Sequence, residues 1–180
     1  FPRSENAEEF LYLSAYCQYL ISPKHSLDQS SSLQAIRELQ NFINRYPESD
    51  RVEDANSLID ELRLKLERKR YETAMMYMDL MDYQAAATTF ETLIKDFPDT
   101  EYREEALFFI VRARFEHADN SVLQRQMERF RLVLTAHQNL IRYFPESGYL
   151  EQSIEMRDES LRQIDALEQR ESNQVTENNQ

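Results

Sequence analysis

Tyr77–Ala106 reads YMDLMDYQAAATTFETLIKDFPDTEYREEA, and the phrase near its end, Phe97-Pro98-Asp99-Thr100, decides the fold because it recurs. The same order of aromatic, Pro, any residue, then Ser or Thr stands at Phe1-Pro2-Arg3-Ser4, Tyr46-Pro47-Glu48-Ser49 and Phe144-Pro145-Glu146-Ser147, so four of the five prolines mark one structural place. Upstream of the last three, the register is shared. Phe42, Leu93 and Leu140 stand five residues before Pro, Ile43, Ile94 and Ile141 four before, Leu39, Phe90 and His137 eight before, and Ala35, Ala86 and Val133 twelve before. Steps of three and four residues are one face of an α-helix. Proline costs about 3 kcal/mol inside a helix but is tolerated between helices, so each phrase predicts the end of one amphipathic helix and the start of the next. Ser4, Ser49, Thr100 and Ser147 are the predicted N-caps, and Glu8, Glu53, Glu104 and Glu151 put a carboxylate against the positive end of each new helix.

A small residue, a bulky one four later and Pro eight after that is the second-helix half of the tetratricopeptide pattern. Here it is Ala86, Phe90 and Pro98, with Tyr77 as the first-helix aromatic. The prolines are 45, 51 and 47 residues apart, against 34 for a regular repeat, so some helices must be extended. The fold class expected is all-α: a tetratricopeptide-like α-solenoid of antiparallel helix pairs with extended helices and a C-terminal capping helix. The array takes residues 1–171, about three helix pairs plus the cap, and 172–180 is expected to be a disordered polar tail. The first helix, 5–21, is expected to turn Phe10, Leu13, Cys17 and Leu20 inward, with Cys17 a buried small hydrophobe. The second runs 33–45. One long helix, or two nearly coaxial ones, spans Asp50 to Met81. Further helices cover 83–96, 101–118, 122–143 and 149–171, the last with Leu150, Ile154, Leu161, Ile164 and Leu167 as its apolar set. The opening Phe1–Ser4 reads as the end of a further repeat, which suggests the C-terminal part of a longer protein.

Composition removes whole classes of chemistry. The one glycine, Gly148, excludes a P-loop, a dinucleotide fingerprint and a nucleophile elbow, each of which needs several glycines at fixed spacing. A net charge of −12 argues against nucleic acid as the main partner, since phosphate binding runs on surplus Lys and Arg. His25, His117 and His137 lie in separate segments without metal-ligand spacing, and His137 reads as a core or edge histidine. Adjacent carboxylates such as Glu104-Glu105 diverge by about 100° round a helix and cannot act together as acid and base. The sequence therefore predicts no enzyme, no cofactor and no metal site.

Two stretches stand out as candidate contacts. The polar insertion after the first helix is longer than usual for a helix pair and offers Lys24, His25, Asp28 and Gln29; the plainer reading is an insertion packed on its own hairpin. Midway along the long helix, Arg63, Lys65, Arg68, Lys69 and Arg70 form a basic patch on an acidic protein. It could grip an acidic partner or be a solvated face with pairs such as Glu61 to Lys65. Arg103, at a helix start, is a third candidate.

At Ser22-Pro23-Lys24-His25-Ser26-Leu27-Asp28-Gln29, Ala35–Gln40, Phe42–Ser49, Lys95–Leu107, Asn120-Ser121 and Phe144–Ser147 the chain resembles the BamD family of outer-membrane assembly lipoproteins. The resemblance covers nearly everything from Phe1 to about Ala166. It implies a five-repeat tetratricopeptide scaffold on the periplasmic face of the outer membrane. The implied anchor is an upstream lipidated cysteine, which Cys17 does not match, and it is the only membrane contact expected. The implied partners are a BamA-type barrel protein, through its POTRA domains, accessory lipoproteins of the BAM complex and unfolded outer-membrane proteins. The alternative is a generic tetratricopeptide peptide-binding module, such as a co-chaperone or a pilus-assembly pilotin, holding a peptide in its groove.

Overall fold

The computed structural model describes residues 6–178, except for the side chains of 174–178. Among the described residues it is all-α, with the helix-pair architecture of tetratricopeptide proteins. The helices are α1 (Ala7–Leu20), α2 (Ser30–Arg45), α3 (Val52–Asp79), α4 (Tyr83–Asp96), α5 (Arg103–Asp119), α6 (Leu123–Tyr143) and α7 (Leu150–Asn178). They form two compact units, one up to Lys69 and one from Arg70 onward. The unbroken α3 contributes to both.

The recurring phrase is a double turn with the same hydrogen bonds at each described occurrence. Tyr46, Phe97 and Phe144 donate the last helical bond, to the carbonyls of Phe42, Leu93 and Leu140 at 2.8–2.9 Å. The following proline has no N–H to continue the ladder, and it pushes the residue before it out of helical geometry, to φ near −132° and ψ 64–75° at Tyr46 and Phe97. The carbonyls of these aromatics then accept from Ser49, Thr100 and Ser147, whose own carbonyls accept from Val52, Arg103 and Leu150. The hydroxyls of the three accept from the backbone N–H two residues on, at Arg51, Tyr102 and Tyr149. They therefore stabilise the turn and stand one step before the helix instead of capping it, since the second turn inserts two residues first. Ser4 lies outside the described residues.

Burial follows the shared register at three of its four positions; at the fourth, Ile43 and Ile94 are half-buried and Ile141 is exposed. Ala35, Ala86 and Val133, then Leu39 and Phe90, then Phe42, Leu93 and Leu140 have no exposed surface, and His137 keeps 2%. After the proline the same holds eight residues on for Ala55, Ala106 and Ser153, and fifteen on for Leu62, Ala113 and Ser160. In the first unit, α1, α2 and the first part of α3 enclose Tyr12, Ala15, Leu39, Phe42, Ile59 and Leu62. In the second, α4 packs on α5, α5 on α6, and α6 on α7. Phe90 stacks on Phe109 at 5.6 Å and meets Tyr71 edge-on at 5.9 Å, and Phe108 stacks on Tyr149 at 4.5 Å.

Both terminal helices differ from expectation. Phe10, Leu13, Cys17 and Leu20 are exposed, and α1 buries Tyr12 and Ala15. This helix is apolar nearly all round, so periodicity alone does not select a face; the tyrosine rings bring more area to Phe42, and Ala15 allows close approach. In α7, Ile154 and Leu161 are 37% and 43% exposed while Ser153, Ser160, Ile164 and Leu167 are inside. Small size, not hydrophobicity, decides the close crossing with α6. Helix α7 also runs on into the stretch expected to be a polar tail, because no Pro or Gly interrupts it. Helix α2 begins at Ser30, one turn before the predicted start at Leu33.

The α3–α4 turn closes without glycine. Asp82 N–H reaches the Tyr77 carbonyl at 3.0 Å and Met81 N–H the Met78 carbonyl at 3.1 Å, with Met81 at φ 58°. This is a Schellman turn with a methionine in the left-handed position that glycine usually takes. Asp82 then caps α4 through Ala85 N–H.

Two stability predictions follow from this packing. Phe90→Ala is expected to cost about 3–5 kcal/mol in urea unfolding of the second unit, whereas Phe10→Ala, at 67% exposure, stays within about 0.5 kcal/mol. Met81→Gly is expected to stabilise by about 0.5–1 kcal/mol, because it relieves the left-handed cost at a side chain 73% exposed; a lower midpoint would show that Met81 holds contacts the turn needs.

Candidate functional site

In the first unit the structure brings the insertion and the basic stretch of α3 together. The segment 21–29 folds round one buried residue, Gln29, which is 5% exposed. Its amide nitrogen donates to the carbonyls of Lys24 at 2.9 Å and Leu27 at 3.1 Å, and its amide oxygen accepts from Ser32 Oγ at 2.7 Å. Ser32, with no exposed surface, is in turn 2.7 Å from Ser22 Oγ. Lys65 Nζ donates to Ser22 Oγ at 3.2 Å and lies 5.6 Å over the Tyr19 ring. Lys69 Nζ donates to the Leu27 carbonyl. The result is a continuous polar seam from α3 through the loop to the first turn of α2.

This seam changes the role of several candidates. Gln29, nominated as a contact residue, is inside and spends its amide on the loop itself. Lys65 and Lys69 clamp the insertion onto α3, the first helix of the next pair. Arg63 is half-buried and Arg68 exposed. Arg70 belongs to the second unit, where it pairs with Asp96 at 3.1 Å. Lys24 and Asp28 face outward and His25 is half-buried. Asp28 accepts from Ser30 N–H at 3.1 Å, starting α2. Hydrogen bonds from the Ser30 hydroxyl and N–H, with Lys69 nearby, hold its carboxyl below the usual carboxylate range.

The second unit carries a groove of about 290 Å³ along α5 between α4 and α6. Leu107, Ile110 and Ala136 form its buried floor; Arg103, Asn139 and Tyr143 stand on its rim. Arg103 donates to the Pro98 carbonyl and lies 4.7 Å over the Tyr143 ring. At the other end Arg114 pairs with Glu91 at 2.7 Å. Of this groove the sequence had offered Arg103 alone. The missed signal was Tyr143, which stands two residues before its proline where Arg45 and Asp96 stand in the other copies. Exposed apolar pairs at the turns inside each helix pair were also missed: Leu20-Ile21, Leu80-Met81 and Val122-Leu123, each residue 59–73% exposed. Among the described residues no cluster of His, Cys, Asp or Glu is placed to hold a metal ion, and no helix is long and apolar enough to cross a membrane.

Gln29→Ala removes the centre of the seam and leaves the Ser32 hydroxyl and two carbonyls without this partner. The expected cost is about 1–3 kcal/mol, read as faster tryptic cleavage after Lys24 in the otherwise folded chain. Unchanged cleavage would show that the two lysine clamps suffice.

Comparison with known proteins places the chain in a family. The curated protein "Outer membrane protein assembly factor BamD" from Caulobacter vibrioides is 28% identical over 113 residues, which are 63% of this chain and 37% of that protein. The chain thus spans little more than a third of the length of that relative. Residues 1–119, well over half of the sequence, match the family described as "YfiO: Outer membrane lipoprotein". The chain with this double-turn register and clamped insertion belongs to the YfiO family of outer membrane lipoproteins.

Proposed function

We propose that the chain is a non-enzymatic scaffold segment of the machinery that assembles outer-membrane β-barrel proteins, working at the periplasmic face of the outer membrane and held there by a lipid anchor elsewhere in the protein. The family match over residues 1–119 carries this reading, and the relative's role as an assembly factor supports it. Its partners are a BamA-type barrel protein, met through POTRA domains, accessory lipoproteins and unfolded outer-membrane proteins. The mechanism is rigid presentation. The polar seam fixes the 21–29 segment so that Lys24 and Asp28 are displayed without a large ordering cost on binding. In the second unit the groove offers an apolar floor with Arg103 and Tyr143 at its rim, the residue types that concentrate binding energy at interfaces. The exposed stripe Phe10, Leu13, Cys17 and Leu20 is the packing face for a further helix of the array.

The groove also favours a second reading, a generic peptide-binding module that takes an apolar side chain with a neighbouring carboxylate. One experiment separates the two. The full-length membrane-anchored protein is affinity-purified from gently solubilised outer membranes, with and without Lys24→Glu and Arg103→Glu together. Recovery of a POTRA-bearing barrel protein, reduced about tenfold by the double reversal (about 1.4 kcal/mol), is expected. Full recovery despite the reversal would remove both surfaces from the reading, and soluble peptides or chaperones in place of the barrel protein would favour the second.

A further inference from the structure

The helix pairs repeat two buried positions, the residue eight before each proline and the residue eight after it. The first copy is Leu39 with Ala55 and the second Phe90 with Ala106, all without exposed surface. The third is His137 with Ser153, 2% and 0% exposed. Both members change together, from apolar and alanine to imidazole and hydroxyl, and the two are hydrogen-bonded, His137 Nδ1 to Ser153 Oγ at 2.6 Å. The other ring nitrogen, Nε2, is buried and has no hydrogen-bond partner.

We propose that His137 and Ser153 form a proton-sensitive clasp that holds α7 on α6 while the imidazole is neutral and releases it in mildly acidic solution. A neutral ring can donate from Nδ1 to the serine oxygen and leave Nε2 as a bare lone pair, a modest penalty. A protonated ring must carry N–H at both nitrogens, which buries a positive charge and an unpaired donor together, among the costliest arrangements in a protein interior. Among the described residues, the charged groups that act on the ring are Arg157 and Asp158, both on α7; none from α5 or α6 does. These two pair with each other at 2.6 Å and so offer the imidazolium little net compensation. Burial first, then Arg157, holds the imidazole below its ordinary value, with Asp158 opposing.

The sign follows. A histidine depressed on docking contributes fully above its undocked value, near 6.5, and loses that contribution as pH falls toward the docked value. Helix α7 is suited to release. Its inner face substitutes Ser153 for Ala and Ser160 for Leu62 or Ala113, so less apolar surface opposes undocking. What it exposes is apolar, since Ile164 and Leu167 of α7 are only 7% and 8% exposed while it is docked.

The test is hydrogen exchange of the whole chain, read as opening constants for α7 peptides after correcting intrinsic rates for pH, with α2 peptides as internal reference. From pH 7.5 to 5.5 the α7 opening constant is expected to rise about fivefold or more relative to α2, within the tenfold per pH unit that one proton allows. His137→Phe with Ser153→Ala, which restores the chemistry of Phe90 and Ala106, should abolish the rise, as should His137→Gln if the larger ring does not fit. His117 is the control, because burial, Arg129 and Arg114 also lower it while Asp82 opposes; His117→Gln should keep the rise. A flat wild-type response, an unchanged rise in both His137 variants, or its loss in His117→Gln would each overturn the clasp.

Discussion

Everything in this fold depends on a backbone group that is absent, the N–H of the proline in each aromatic-Pro phrase. Without it the helical ladder must stop, and the aromatic before it becomes the last donor. The double turn that follows is closed by backbone bonds of near-equal length at Ser49, Thr100 and Ser147, so its geometry is independent of the variable residue in the phrase. Fixing that turn fixes which residues meet across it. Positions eight before and eight after the proline are buried in every described copy, with a small residue at the second. The apolar periodicity of the helices then has one register to occupy.

That is also why so much was legible in the sequence. Ala35, Leu39 and Phe42, with their counterparts round Pro98 and Pro145, were assigned to the core by their distance from a proline, and all are buried. The same ruler also picked Ile43 and Ile94, which are half-buried, and Ile141, which is 38% exposed, and the assignment failed further where the ruler was not used. In α1 the set Phe10, Leu13, Cys17 and Leu20 was chosen by apolar character, and the helix offers apolar residues on more than one face. In α7, Ile154 and Leu161 were preferred to Ser153 and Ser160 on hydropathy. Counting from Pro145 would have placed both serines inside, opposite His137 and in line with Ala55, Ala106, Leu62 and Ala113. The candidate site was less legible for another reason: a lysine at a sequence position says nothing of what its ammonium reaches 42 or 43 residues away in the chain.

The basic stretch of α3 shows how a surplus of like charge can be structural. An acidic chain with five cations close together invites an electrostatic reading of the partner. Yet Lys65 and Lys69 each find a protein oxygen on the 21–29 segment and Arg70 finds Asp96. Exposed pairs of this kind add little stability each. Their effect here is directional, since a segment tied at Ser22 and Leu27 and wrapped round Gln29 has few conformations left. The proposed display of Lys24 and Asp28 needs this more than it needs affinity from the lysines themselves.

The three pairs of buried positions form a series of falling apolar content. Leu39 and Ala55, and Phe90 and Ala106, are followed by Leu62 and Ala113 one turn pair further on, while His137 and Ser153 are followed by Ser160. Dispersion and desolvation stabilise the first two over their whole area. The third relies in part on a hydrogen bond and on a ring that must stay uncharged, with Ser160 turning its hydroxyl back to the Met156 carbonyl at 2.7 Å. Such a bond contributes about 1 kcal/mol net when made and costs more than that when one partner is left charged and unpaired. A terminal helix held this way docks in one register, since a shift along α6 would leave Ser153 and His137 both unsatisfied. The substitution that weakens the contact therefore also makes it specific, and the same two atoms set where α7 sits and how firmly it stays.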